Sequence, residues 1–137
     1  MAADMAQALA AFAELAGVAE RLVDHWGKGL RRFQLDGITA EIVIGDAQDR
    51  LSAWDQKADA WFLDGFSPAK NPELWTPELM ASVARHTTSG GTFATYTAAG
   101  HVRRALSEGG FSVDRVPGFG RKRHMSIGRK MSPDEPE

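Results

Sequence analysis

Three short stretches of the chain place reactive side chains where a ligand could reach them. The run Ala58–Leu63 (ADAWFL) is nearly all apolar and ends in Asp64-Gly65-Phe66. A carboxylate at the end of such a run can orient a basic substrate group or accept its proton. A glycine behind it lets a ligand or another backbone come close. The same residues also make a plain turn cap, and spacing alone leaves both readings standing. Gly45-Asp46 repeats the pattern more weakly, because Gly-Asp is itself a turn signal. Tyr96 and Thr97 close the run TFATYT. A different chemistry lies at residues 118–130, which hold Arg121, Lys122, Arg123, Arg129 and Lys130 and no acid. Such a run is either a solvated face or an anion-binding edge. His25, His86, His101 and His124 lack metal-ligand spacing, so no metal is expected. The absence of cysteine excludes disulfides, thiolate metal sites and a cysteine nucleophile.

Composition narrows the field further. The chain has 137 residues, 43% hydrophobic and 25% charged, which suits one folded domain and excludes a largely disordered one. The net charge of −2 excludes a uniformly basic nucleic-acid binder, so any such binding must come from a local patch. No stretch approaches the roughly 20 apolar residues of a membrane span. The N-terminus lacks the basic start of a secretory signal, and Asp4 and Glu14 interrupt it. The cytoplasm is the expected location, with no membrane partner.

Hydrophobic periodicity then supplies the elements that would position these residues. Met5, Leu9, Phe12, Ala16, Ala19, Val23 and Trp26 recur at three- and four-residue steps, predicting one helix over residues 2–26 that ends at Gly27. Ile38–Ile44 reads as a strand and Gln48–Asp55 as a short helix. Ala58–Leu63 reads as a strand buried on both faces. Thr76-Pro77-Glu78 opens a helix reaching about His86, with Thr76 as its cap, and Ser89-Gly90-Gly91 breaks it. A strand over Thr92–Thr97, a helix over Ala98–Glu108, a strand over Phe111–Val116, a turn at Pro117–Gly120 and a last strand over Lys122–Gly128 follow. Trp26, Trp61 and Trp75 sit in patterns that suggest core. Residues 1–130 form the expected domain, and residues 131–137 a disordered tail.

Strands alternating with helices imply a mostly parallel sheet covered on both faces, and the closing strand-turn-strand is too short for a crossover, so it must be an antiparallel hairpin. That combination recurs in class I S-adenosylmethionine methyltransferases. In such sheets ligands bind beyond the carboxyl ends of the strands, where Asp46, Asp64 and Tyr96 fall.

The segments DAWFLDGFSPAKNPELW (Asp59–Trp75), GGTFATYTAAGHVRRAL (Gly90–Leu106) and GFGRKRHM (Gly118–Met125) closely resemble the methyltransferase domain of the MnmC family, whose stand-alone members are called MnmD. The resemblance runs from about residue 1 to about residue 130. It implies an α/β, Rossmann-like class I sheet and an N-methyltransferase that finishes the aminomethyl group of a tRNA wobble uridine with S-adenosylmethionine. Carried onto this sequence, it gives Asp64 the catalytic place, where donor and acceptor amine meet. It puts Asp46 near the adenine end of the donor, with Gly65 beside the donor. It makes Phe66 and Pro68 walls of the pocket, and lets Lys70 and Asn71 touch RNA or donor. Tyr96 and Thr97 would line the acceptor pocket. Arg121, Lys122 and Arg123, extended by Arg103 and Arg104, would grip the phosphates of the tRNA anticodon stem-loop. A flavin-dependent oxidoreductase acting on the same nucleoside is the implied partner.

The chain departs from that pattern at its front. No glycine-rich GxGxG loop is present, and no strand carries the acidic residue for the donor ribose. In the class I order three-two-one-four-five-seven-six, the first two strands separate Ile38–Ile44 from Ala58–Leu63. Without them Ala58–Leu63 becomes an apolar edge, which invites pairing. Three arrangements follow: Ile38–Ile44 slides in beside Ala58–Leu63, two copies pair edge to edge as a homo-oligomer, or the front half is supplied elsewhere. The expectation is a truncated methyltransferase with a rewired or dimeric sheet and an incomplete donor site. The alternative function is an inactive module that binds RNA through its basic hairpin.

Overall fold

In the computed structural model, which describes residues 1–135, the chain divides into two compact units with a boundary between Ile44 and Gly45. This boundary lies inside the stretch expected to form one domain.

The first unit departs most from the sequence reading. The predicted helix is broken in two, α1 (Ala2–Leu9) and α2 (Ala16–Gly27), joined through a short 3₁₀ turn at Ala13–Leu15. Phe12 leaves helical geometry with φ −114° and ψ 76°. Gly27 lies beside Ala2, so the helices run antiparallel. A single long helix would leave its apolar stripe open; folding back lets the two halves of that stripe face each other. Beyond α2, β1 (Arg32–Leu35) and β2 (Ile38–Glu41) form an antiparallel two-stranded sheet. Asp36 and Gly37 join them with φ of 49° and 81°. Positive φ at both positions is what a two-residue hairpin turn matching the twist of its strands requires. The expected strand over Ile38–Ile44 thus stops at Glu41 and pairs with β1, not with Ala58–Leu63.

The second unit holds α3 (Ala47–Ser52), β3 (Ala58–Leu63), α4 (Pro77–Arg85), β4 (Thr87–Thr95), α5 (Gly100–Glu108), β5 (Phe111–Pro117) and β6 (His124–Lys130). Its four strands lie in the order β3-β4-β6-β5. This is the four-five-seven-six portion of the class I order. The sheet is mixed: β3 and β4 are parallel, while β6 runs antiparallel to both β4 and β5. The closing hairpin is therefore as expected. α4 also begins as expected, with the Thr76 hydroxyl accepting from the Leu79 N–H at 3.2 Å.

β4 starts five residues earlier than predicted. Ser89-Gly90-Gly91 does not end the element but is absorbed in it, where the register with β3 shifts between Ala58 and Ala60. Gly90 has φ 78°, a conformation open to glycine at no steric cost. Beyond β6, the Met131 N–H donates to the Gly110 carbonyl at 3.0 Å, and Arg129 pairs with Glu135 at 2.9 Å. Of the tail expected to be disordered, residues 136 and 137 lie outside the described residues.

The core of this unit gathers Trp75, Leu79, Met80, Val83, Phe93, Val102, Leu106 and Phe111. α4 and α5 supply most of it and rest on one face of the sheet. Across that face Trp61, Phe93, Gly128 and Val113 stand in register. The opposite row, Phe62, Ala94 and Ile127, is a correction to the sequence reading: Phe62 is 88% exposed, so β3 is not buried on both faces. Among the described residues β3 pairs on one side only, and a strand at an edge loses the cover its neighbours would bring.

Gly128 is needed where it stands. A β-carbon there would overlap the Phe93 ring and come within 2.7 Å of the Ser112 carbonyl, which is backbone and cannot step aside. Gly128→Ala is expected to lower unfolding free energy by about 1–3 kcal/mol in chemical denaturation. Thr76→Ala, which removes only the cap, should cost about 1 kcal/mol.

Candidate active site at the carboxyl end of β3

β3 delivers Asp64 to the carboxyl edge of the sheet, and β4 delivers Tyr96 next to it. Asp64 is exposed, and its Oδ1 accepts from the N–H of Gly65 at 2.8 Å. The Gly65 carbonyl in turn accepts from the Tyr96 hydroxyl at 2.8 Å. One residue later the Phe66 carbonyl accepts from the Trp75 indole N–H at 2.8 Å. Two aromatic donors therefore hold the two carbonyls that follow Asp64. Their rings meet edge to face, 6.2 Å between centroids, and Trp75 is rooted in the core. The Asp64 carboxylate is aimed by the N–H of a residue whose own carbonyl is held by Tyr96. Gly65 also serves packing: a β-carbon there would overlap Leu74 Cδ2. The close approach that the glycine permits is made by a side chain of the same unit.

Two hollows open on either side of this loop, and Asp64 lines both. One, of about 400 Å³, is walled by Phe62, Tyr96, Phe119, Lys122 and Met125. The other, of about 580 Å³, is walled by Gly65, Phe66, Asn71 and Leu74. The Lys122 ammonium lies 5.0 Å from the centroid of the Tyr96 ring. The Tyr96 phenol is held above its ordinary pKa, first by burial and second by the Asp64 carboxylate.

The residues singled out in the sequence are thus distributed unevenly. Asp64, Gly65, Phe66, Asn71, Tyr96 and Lys122 converge on the two hollows. Asp46, Pro68, Lys70, Thr97, Arg121 and Arg123 line neither. The Asp46 side chain caps α3, accepting from the Asp49 N–H at 3.0 Å. Thr97 is buried; its hydroxyl accepts from the Ala99 N–H at 3.2 Å and its carbonyl from the Ser126 hydroxyl at 2.8 Å. Lys70 and Asn71 both return an N–H to the Ser67 carbonyl, making a tight turn of that loop. Phe62, Phe119, Leu74 and Met125 line the hollows without having been picked from the sequence. Phe62 sits inside an apolar run, where nothing local separates an outward ring from a core one. Phe119, between two glycines in a basic stretch, carried a signal that could have been read.

Tyr96→Phe removes the donor to Gly65 while keeping the ring. Exchange of the Gly65 amide proton is expected to speed up by about tenfold, the value of one net hydrogen bond. Because the phenol is raised in the folded state, its contribution is complete below the unfolded value near 10 and is lost as pH climbs through the higher folded one. Denaturation of the parent chain should therefore show stability falling above about pH 10, and Tyr96→Phe should flatten that part of the curve.

Comparison with known proteins accords with this geometry. Residues 13–131 match the family described as S-adenosyl-L-methionine-dependent methyltransferase. The chain is 46% identical over 142 residues to the tRNA 5-methylaminomethyl-2-thiouridine biosynthesis bifunctional protein MnmC of Caulobacter sp. (strain K31), covering 97% of this chain and 24% of that protein. It is 48% identical over 130 residues to the protein of the same name from Ectopseudomonas mendocina (strain ymp), covering 91% and 20%. Among solved structures it is similar to MNMC2 from Aquifex aeolicus, with TM-score 0.68 and 28% identity over 85% of this chain and 39% of that one. The chain thus spans about a quarter or less of the length of these curated relatives. With 119 consecutive residues matched, and with Asp64 at the strand end where this fold binds its ligands, the chain belongs to the S-adenosyl-L-methionine-dependent methyltransferase family.

Proposed function

We propose that this chain carries the acceptor side of an N-methyltransferase acting on the aminomethyl group of a tRNA wobble uridine. The observation that carries the reading is the Asp64 carboxylate, exposed between two hollows and aimed by the Gly65 N–H. The names of the curated relatives supply the substrate. Acting on tRNA would place the chain in the cytoplasm. A flavin-dependent oxidoreductase working on the same nucleoside would be its partner in sequence.

The residues fit the methyl-bearing end of the donor. A carboxylate flanked by the open faces of Phe62 and Phe66 is an environment suited to a sulfonium cation. Asp64 and Gly65 would hold that end, with Asp46 toward the adenine. S-adenosylmethionine, when bound, supplies an electrophilic methyl group.

Everything else falls to the protein. An alkylamine has a pKa near that of lysine, about 10, and is mostly protonated at neutral pH. A protonated amine has no lone pair and cannot attack. Asp64 orients the amine and takes or relays the proton it must shed to free its lone pair; the nitrogen–carbon bond would then form as the sulfur–methyl bond of the donor breaks, leaving a neutral thioether. Tyr96 and Trp75 keep the carboxylate in place through the carbonyls of Gly65 and Phe66. Alignment of two reactants by such fixed groups is worth about 7–11 kcal/mol in favourable cases.

The test is methyl transfer to an anticodon stem-loop bearing the aminomethyl group, alongside calorimetry with S-adenosylmethionine. Asp64→Asn keeps the size and loses the base. Turnover should fall by about 100- to 10,000-fold. Unchanged turnover would remove Asp64 from the mechanism. If the parent chain releases no heat with millimolar donor yet binds the stem-loop, it is an RNA-binding module.

A further inference from the structure

The most exposed aromatic ring of the site belongs to no interaction described so far. Phe119 is 93% exposed and sits at the tip of the loop between β5 and β6. The loop is shaped to present it. The Gly118 N–H donates to the Arg123 carbonyl at 3.1 Å, and the Lys122 N–H donates to the Phe119 carbonyl at 3.2 Å. A β-carbon on Gly118 would collide with the backbone of Lys122, and Gly120 has φ 62°. Two glycines thus close a tight turn, and the phenylalanine between them cannot retreat into a core.

Its surroundings narrow the occupant. Arg121, Lys122 and Arg123 follow directly, and none of the three is in an ion pair among the described residues. Lys122 reaches over the Tyr96 ring, and all three side chains are exposed. An aromatic face next to uncompensated cations suits a chain that carries both a planar group and a repeated negative charge. An unpaired nucleotide has both: its base stacks and its phosphate meets arginine. A base-paired helix hides its faces, so the ring selects single-stranded or looped RNA. A membrane surface would also take an aromatic tip with basic flanks. Phe119, however, walls the hollow that holds Asp64, so its face is turned along a concave site.

We infer that Phe119 is a stacking platform for an unpaired base of the RNA, lying beside the acceptor hollow, with Arg121 and Arg123 holding the flanking phosphates. This rests on the RNA reading above, and adds that the bound region must be unstacked next to the reacting nucleotide.

The test uses the whole chain and two RNAs of equal length, a stem-loop and a fully paired duplex, with binding followed across salt concentrations. Phe119→Ala should weaken stem-loop binding by about tenfold to a hundredfold and leave duplex binding and the salt slope unchanged. The double variant Arg121→Ala with Arg123→Ala should weaken stem-loop binding and lower its salt slope by about 1.4 to 1.8. Phe119→Trp should restore or exceed the parent affinity. Equal binding of the stem-loop by parent and Phe119→Ala overturns the platform and leaves the RNA reading intact. Failure of the parent to bind the stem-loop at all overturns both. Phe119-dependent sedimentation with anionic phosphatidylserine vesicles, without a stem-loop effect, assigns the ring to a membrane and overturns the proposal.

Discussion

The site depends on a relay of two hydrogen bonds through one peptide residue. Tyr96 donates to the carbonyl of Gly65, and the N–H of Gly65 donates to Asp64. A carboxylate on an exposed strand end would otherwise sample several rotamers. Here its orientation is inherited from a ring just past the end of the next strand. The parallel register of β3 and β4, with Leu63 opposite Thr95, brings those two strand ends level. Trp75 adds a second anchor and ties the loop to the core. Tertiary structure is thus transmitted to a solvent-facing functional group by two aromatic side-chain donors acting through the backbone.

This arrangement explains why the important glycine is Gly65. It has no unusual φ, yet any side chain would strike Leu74. Leu74 precedes Trp75 in the short helical turn, so the side chain that Gly65 accommodates neighbours the one that holds the Phe66 carbonyl. Packing and orientation therefore share the same few atoms. The open faces of Phe62, Phe66 and Phe119 give the site its second character, a set of exposed rings beside the Asp64 carboxylate and the Lys122 ammonium.

Much of this was legible in the residues. Asp64-Gly65 at the end of an apolar run, Thr76-Pro77 at a helix start and the closing hairpin are local signals, and local chemistry decides them. What escaped was decided elsewhere. The helix over residues 2–26 has an unbroken periodicity, yet the chain leaves helical geometry at Phe12 and its two halves pack on each other. Gly90-Gly91 reads as a breaker because glycine favours turns, but a bulge between paired strands also takes it. The strand Arg32–Leu35 was missed although Asp36-Gly37 is a strong hairpin signal, because its own alternation is only four residues long. Lys122 was grouped with its basic neighbours by sequence, while the structure sets it over Tyr96. The exposure of Phe62 was unreadable in principle, since it depends on which strands stand beside β3.

The position of β6 has a consequence for how the chain is made. Of the four strands of its sheet it is the last in sequence, yet it is a central one, bonded to β4 on one side and to β5 on the other. While the ribosome is still translating, β5 has no ladder to join and β4 only its partner β3. The second unit can therefore mature only once residues 124–130 have emerged, and a nascent chain stalled before that point would hold two half-made strands awaiting the same missing neighbour.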